Sequence, residues 1–328
     1  GHYRAAARVL EPIAQARPAD GRIAWMLSRA KAALGELDEA LKLAETALAS
    51  DESNAAYHVQ VAAVCGRLAE TSGLLKQLGY ARRAKKELDA AVALDPASSG
   101  AQWGQMMFYY AAPGLIGGDK NKALDIGRQL ALEIPSAGLY YQGRLAAEMK
   151  DTASAENFYL RSATADPASF DTLAEVAKFY LESKPDQAKA ETWACAAVHA
   201  DATRGDGWAL LARTFATCGC WTEAEEMARL SEAIDPDDLV PWYAIAAAAI
   251  AKGEQIDAAR DWLQKYLSQP AEGSEPSWAR AHWQLGLALA AQGRRPEAIA
   301  ELKTAIEQEP GNEKARSDLK RISAEKAP

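Results

Sequence analysis

Apolar positions across residues 205–238 fall at spacings of three and four: Trp208, Leu211, Ala212 and Phe215 before Gly219, then Ala224 and Ala228, with Pro236 closing the run. That spacing puts each set on one face of a helix, so the stretch predicts two amphipathic helices joined by a turn at Gly219. Residues 239–272 repeat the arrangement with Trp242, Ile245, Ala246, Gly253, Ala258, Trp262 and Pro270. Gly219, Ala224 and Pro236 thus return 34 residues later as Gly253, Ala258 and Pro270. A helical hairpin this short cannot bury its own apolar face, so neighbours must stack on it. The period predicts a solenoid whose function resides on an extended surface.

The same frame fits residues 279–312 (Leu285, Gly286, Gly293, Ala298, Ala305, Pro310), 136–169 (Gly143, Ala155, Tyr159, Pro167) and 21–54 (Leu27, Gly35, Ala40, Ala47). Residues 170–203 keep Tyr180, Trp193 and Ala196 without the closing proline. Two units depart from the period. Residues 55–98 are longer by about ten, with lengthened helices and an insertion near 66–79. Residues 99–135 hold Pro113-Gly114-Leu115-Ile116-Gly117-Gly118 where an ordinary turn belongs, an insertion at 113–118 that breaks helix on both sides. The expected organisation is therefore the second helix of a truncated repeat at 1–20, seven units over 21–272, a linker at 273–278, a last unit at 279–312 and a polar capping helix at 313–328. The natural chain is expected to begin upstream.

A large residue, a Leu, a small residue, a second small residue after the turn and a closing Pro, in that order, resemble the tetratricopeptide repeat. The resemblance implies an all-α fold, a right-handed α–α superhelical solenoid of about eight repeats with a C-terminal capping helix. In the centre, FYYAAPGLIGGDKNKA (residues 108–123), preceded by LLKQLGYARRAKKELDAAVALDP, resembles a group of bacterial tetratricopeptide proteins with an FYxxAPGxxGG signature. That likeness covers residues 57–167 and implies a periplasmic or exported location, with a cytoplasmic one as the alternative.

A formal net charge of −8 and a pI near 5.3 argue against nucleic acid or an anionic membrane as the main partner, since both demand a basic excess. The alanine-rich run at 244–251 is far shorter than the roughly 20 apolar residues needed to span a bilayer, so no direct membrane insertion is expected. His2, His58, His199 and His282 are scattered, with no HExxH, and no GxSxG is present, so neither a metal, a cofactor nor an enzymatic activity is expected. Gly118 is followed by Asp119-Lys120-Asn121, which lacks the Lys-Ser/Thr of a phosphate loop; Asp119 reads as the N-cap of a helix starting near Lys120. Cys65, Cys195, Cys218 and Cys220 show no CxxC spacing. Cys218 and Cys220, flanking Gly219, read as small residues at a tight packing point, with a disulfide as the alternative in an exported protein.

The tetratricopeptide resemblance implies that positions two, five, nine and twelve of each first helix point into a concave groove. Position five is Trp25, Trp103, Tyr140, Tyr243 and Trp283 in five units; position nine is Arg29, Arg144, Lys178 and Arg213 in four. Met107 and Tyr110 join them from the unit of Trp103. Trp208, Trp242, Trp193, Trp262 and Trp221 all have packing roles in the repeat frame, whereas Trp25, Trp103 and Trp283 have none, so they are candidate partner contacts, with the covering of gaps between helices as the alternative. Arg144, Lys178 and Arg213 form a candidate basic ladder, against which Asp171 and Asp206 stand as candidate neutralising partners. The expected function is a non-enzymatic protein-protein interaction scaffold that binds a peptide or partner segment, acidic with aromatic or apolar anchors, in its concave groove. The alternative is an assembly or regulatory arm, self-associating or attached to a catalytic domain elsewhere.

Overall fold

The computed structural model describes residues 2–270 and 276–324, which form eighteen α-helices, one short 3-10 turn and no strand. They divide into two compact units, Tyr3–Phe179 and the described residues from Tyr180 onward together with His2. The first unit contains α1 (Tyr3–Ala16), α2 (Gly21–Ala33), α3 (Leu37–Ser50), α4 (Ala55–Thr71), α5 (Leu74–Leu94), α6 (Ser99–Ala111), α7 (Lys120–Glu133), α8 (Pro135–Glu148), α9 (Thr152–Ala165) and most of α10 (Phe170–Glu182). The second contains α11 (Gln187–Ala200), α12 (Gly205–Cys218), α13 (Trp221–Ile234), α14 (Val240–Lys252), α15 (Ile256–Tyr266), α16 (Trp278–Ala291), α17 (Arg295–Gln308) and α18 (Glu313–Ala324). No described helix is long and apolar enough to cross a membrane.

Consecutive helices pair. In the first unit α2 packs on α3, α4 on α5 and α8 on α9, and the first helices also touch one another, α2 with α4, α4 with α6 and α6 with α8. The second unit repeats the scheme with pairs α12–α13, α14–α15 and α16–α17, and with α12 against α14, α14 against α16 and α16 against α18. The sequence reason lies in the second helix of each pair. Ala40, Ala44 and Ala47 on α3, and Ala190, Ala194 and Ala197 on α11, are fully buried at spacings of four and three. Ala224 and Ala228 on α13, and Ala298, Leu302 and Ala305 on α17, are buried on the same spacing. Where alanine holds these positions, one methyl group per contact lets the helix axes approach toward the short end of the usual 8–10 Å.

The turns are set by hydrogen bonding. At Gly219 the backbone is left-handed (φ 83°), and the amides of Gly219 and Cys220 return to the carbonyls of Ala216 and Phe215 at 3.2 and 3.0 Å. A side chain strains that conformation, which is why glycine sits there. Cys218 itself is exposed and Cys220 half-buried. The sulfurs are joined in a disulfide, so the expected tight packing point is a surface bridge instead.

The central insertion is ordered by its own backbone. Gly114–Ile116 form the 3-10 turn, the amide of Asp119 reaches the Tyr109 carbonyl at 2.8 Å, and the Asp119 carboxylate accepts from the amides of Asn121 and Lys122 at 3.0 and 3.1 Å. A Cβ on Gly118 would lie 1.7 Å from the Ala112 carbonyl oxygen, so only glycine fits this return. In the long unit, α4 and α5 run 17 and 21 residues, broken at Ser72-Gly73. Glu87 of α5 is buried there between His58 Nδ1 at 2.5 Å and the Arg83 guanidinium at 2.6 Å. Trp278, placed in the linker by sequence, opens α16 behind its N-cap Ser277, and Tyr266 donates to the Pro276 carbonyl at 2.5 Å. Residues 273–275 of that linker, and the last four of the expected capping helix, lie outside the described residues.

Close approach makes some glycines irreplaceable and leaves others free. A Cβ at Gly143 would lie 2.6 Å from the ring of Tyr159, itself 1% exposed, whereas a Cβ at Gly66 meets nothing within 4 Å. Thermal or urea melts are expected to show Gly143→Ala destabilised by about 1–3 kcal/mol, and Gly66→Ala unchanged or stabilised by up to about 1 kcal/mol.

Candidate binding surface

Two helices of the first unit build an aromatic platform. Trp103 of α6 stacks on Tyr141 of α8, with ring centroids 4.8 Å apart and planes 15° from parallel. Tyr140 meets Tyr141 edge-on at 5.2 Å, and Tyr159 at 6.4 Å; Tyr159 in turn meets Phe179 of α10 at 5.7 Å. The Arg144 guanidinium lies 4.6 Å from the Trp103 ring and 6.0 Å from that of Tyr140. A cation held over ring faces keeps its charge while losing conformational freedom, at a gain of about 0.5–2 kcal/mol. Trp103, Tyr140 and Arg144 are therefore brought together, and Trp103 also closes the seam between α6 and α8. Tyr141 was not among the expected contacts, because it lies about 100° around the helix from Tyr140. The adjacent tyrosines were the available signal.

The platform is not uniformly basic. Burial, and then the nearby Glu175 charge, push Tyr140 up to about 12, with Arg144 acting in the opposite sense; Tyr159 is raised by the same causes. Lys178 stands exposed on α10. Tyr110 donates to the Glu148 carbonyl at 3.0 Å, under Lys120 at 5.4 Å. Met107 faces a second feature, an apolar cleft of about 330 Å³ among α4, α5 and α6 whose other walls include Gly66, Leu78, Ala81, Leu88 and Phe108. At the N-terminal end of the unit, Trp25 is half-buried beside Tyr57 at 6.3 Å, and Arg29 lies 4.9 Å over the Trp25 ring.

The second unit treats its expected contacts differently. Tyr243 is 8% exposed and packs against Tyr266 at 5.4 Å, which makes it a core residue and corrects its expected place in a groove. Trp283 donates to Asp318 of α18 at 2.9 Å, so this tryptophan fastens the terminal helix. Arg213 pairs with Glu182 at 2.7 Å, whereas its expected neutraliser Asp206 pairs with Arg204 at 3.1 Å. Arg144 and Lys178 belong to the first unit and Arg213 to the second. Among the described residues, no three His, Cys, Asp or Glu side chains are grouped to hold a metal ion.

Comparisons with known proteins bear on this architecture. A tetratricopeptide-repeat family model matches residues 279–312, the span of α16 and α17. A second family model, described as regulator of microtubule dynamics protein 1-3, matches residues 2–110, about a third of the chain. Yeast Tom70 superposes with a TM-score of 0.57 at 12% identity, over 91% of this chain and 59% of its own. Cut9–Hcn1 of the APC/C gives 0.52 at 15% identity, over 92% and 69%. A Parabacteroides merdae tetratricopeptide repeat protein gives 0.51 at 17%, over 80% and 98%. The fold is shared with these structures, and one tetratricopeptide repeat is matched at residues 279–312. Its helix pairs are those of an α–α superhelical solenoid. No curated protein matches the chain by sequence.

Tyr140 gives the platform a pH signature. Its pKa is near 10 unfolded and about 12 folded, so the folded state keeps the proton over that interval. The resulting stability is complete below pH 10 and is lost as pH rises toward 12. Urea melts between pH 9 and 12 are expected to show a shallower decline for Tyr140→Phe than for the unaltered protein; equal slopes refute the assignment.

Proposed function

We propose that the protein is a non-enzymatic protein-interaction scaffold that binds an extended peptide segment of a partner along the first unit. The carrying observation is Arg144 lying over Trp103 and Tyr140, because arginine and large aromatic residues dominate interface energies. A partner carboxylate is placed at Arg144, and an apolar or aromatic anchor toward Met107 and its cleft. The overall charge of −8 does not oppose this. A carboxylate about 4 Å from a surface guanidinium gains roughly 4 kcal/mol before desolvation at an effective dielectric of about 20, whereas charges beyond about 8 Å are screened at physiological salt. Disordered segments suit such a surface, since they order as they dock.

The family match at residues 2–110, described as a regulator of microtubule dynamics, motivates a second reading, an assembly or regulatory arm that self-associates or is attached to a catalytic domain elsewhere. Light scattering tests the self-associating form of the second reading, which requires a mass above that of one chain, whereas the scaffold reading requires none.

Selection of a displayed library of random peptides on the intact protein is expected to enrich sequences pairing Asp or Glu with an aromatic or large apolar residue. Selected peptides are expected to lose about 30-fold in affinity for Arg144→Glu and for Trp103→Ala, equivalent to roughly 2 kcal/mol. Affinities unchanged in both variants exclude this surface.

A further inference from the structure

The turn between α12 and α13 holds chemistry that the scaffold reading leaves unused. Cys218-Gly219-Cys220 occupies a turn that recurs through the chain. The amide of Glu36 returns to Lys31, that of Asp151 to Ala146, that of Glu254 to Ala249 and that of Arg294 to Leu289, all at 2.9–3.0 Å, just as Cys220 returns to Phe215 at 3.0 Å. Gly35, Lys150, Gly253 and Gly293 take the same left-handed backbone as Gly219, with φ between 60° and 85°. In those turns the flanking residues are Leu34 and Glu36, Met149 and Asp151, Lys252 and Glu254, and Gln292 and Arg294. The backbone at 218–220 is thus dictated by the repeat and does not depend on sulfur. It sets the two Cα atoms 5.5 Å apart, within the roughly 4.4–6.8 Å that a disulfide bridges.

A bridge laid on a turn that exists without it forms and opens with little movement of the chain. The short spacing adds to this: with one residue between them, the freed sulfur stays beside its former partner. Both cysteines are reachable, Cys218 being exposed and Cys220 half-buried. Cys220 is also the N-cap of α13, where amide dipoles stabilise a thiolate. The Glu254 carboxylate, held by the Trp221 indole at 2.9 Å, faces the turn and opposes that stabilisation. The other two cysteines differ: Cys65 is buried and pushed up to about 11, mainly by burial, and Cys195 lies alone on α11.

We propose that Cys218 and Cys220 form a reversible redox site that exchanges with thiols of the glutathione class. A thiolate attacks one cysteine sulfur, forming a mixed disulfide and releasing the other cysteine as a thiolate. A second thiolate attacks the mixed disulfide, releasing the oxidised thiol dimer and the second cysteine thiolate, and both cysteines take protons from solvent. Two thiols are oxidised and one protein disulfide is reduced. In the reverse direction the neighbouring cysteine resolves the mixed disulfide. This site is independent of the aromatic platform.

The test equilibrates the protein, with Cys65 and Cys195 changed to Ser, in glutathione buffers from fully reduced to fully oxidised, then traps free thiols by alkylation for mass analysis. Circular dichroism verifies the fold at both ends. The expected result is a joint transition in which zero or two alkyl groups are added, and Cys220→Ser is expected to hold glutathione on Cys218 at least roughly tenfold longer than the paired protein does. Two free thiols in fully oxidised buffer, a bridge that survives fully reduced buffer, or glutathione retained equally with and without Cys220 would each overturn the proposal.

Discussion

The structure depends on how near two helices can come. Where the second helix of a pair presents only methyl groups, as along Ala40, Ala44 and Ala47, the first helix settles close enough for its own side chains to reach the next pair. A larger side chain on that stripe separates the axes and weakens two contacts at once, within the pair and between pairs. Tyr159 is the instructive exception. It occupies a stripe position on α9, and Gly143 on the facing helix leaves the space its ring fills. Size is conserved across the seam, not on either side of it. The platform of Trp103, Tyr140 and Tyr141 stands beside this exchange, so the aromatic surface and the packing share one set of constraints.

Much of the architecture was legible because the repeat is written in small residues and turn glycines. Gly219, Gly253 and Gly293 marked turns whose backbone only glycine adopts readily, and Asp119 was recognisable as a cap from the broken sequence before it. Helix ends were less legible. Trp278 read as linker because Pro276 suggested a break, yet a proline two residues ahead of a helix, followed by a capping serine, is also a common way to begin one.

The candidate surface was legible in part. Position within the repeat singled out Trp103, Tyr140 and Arg144, which the structure brings side by side, but it cannot tell a face that lines a groove from one that a neighbouring element covers. Tyr243 sits at the same repeat position as Tyr140 and is core, because Tyr266 packs over it. Trp283 sits there too and is engaged by Asp318, a residue 35 positions later in sequence. The cysteines escaped for a related reason: spacing placed them in a turn, but their exposure depends on where that turn lies relative to its neighbours.

Packing between near neighbours along the chain also governs how it acquires its form. Among the described helices, the main packing partners lie one or two helices apart along the chain, so loop closure stays short and contact order low, the condition under which domains fold quickly. A pair rich in large rings, such as α14 and α15 with Trp242, Trp262 and Tyr266, is able to form early and template growth in both directions. A chain emerging from a ribosome can therefore fold as it is made, one hairpin at a time.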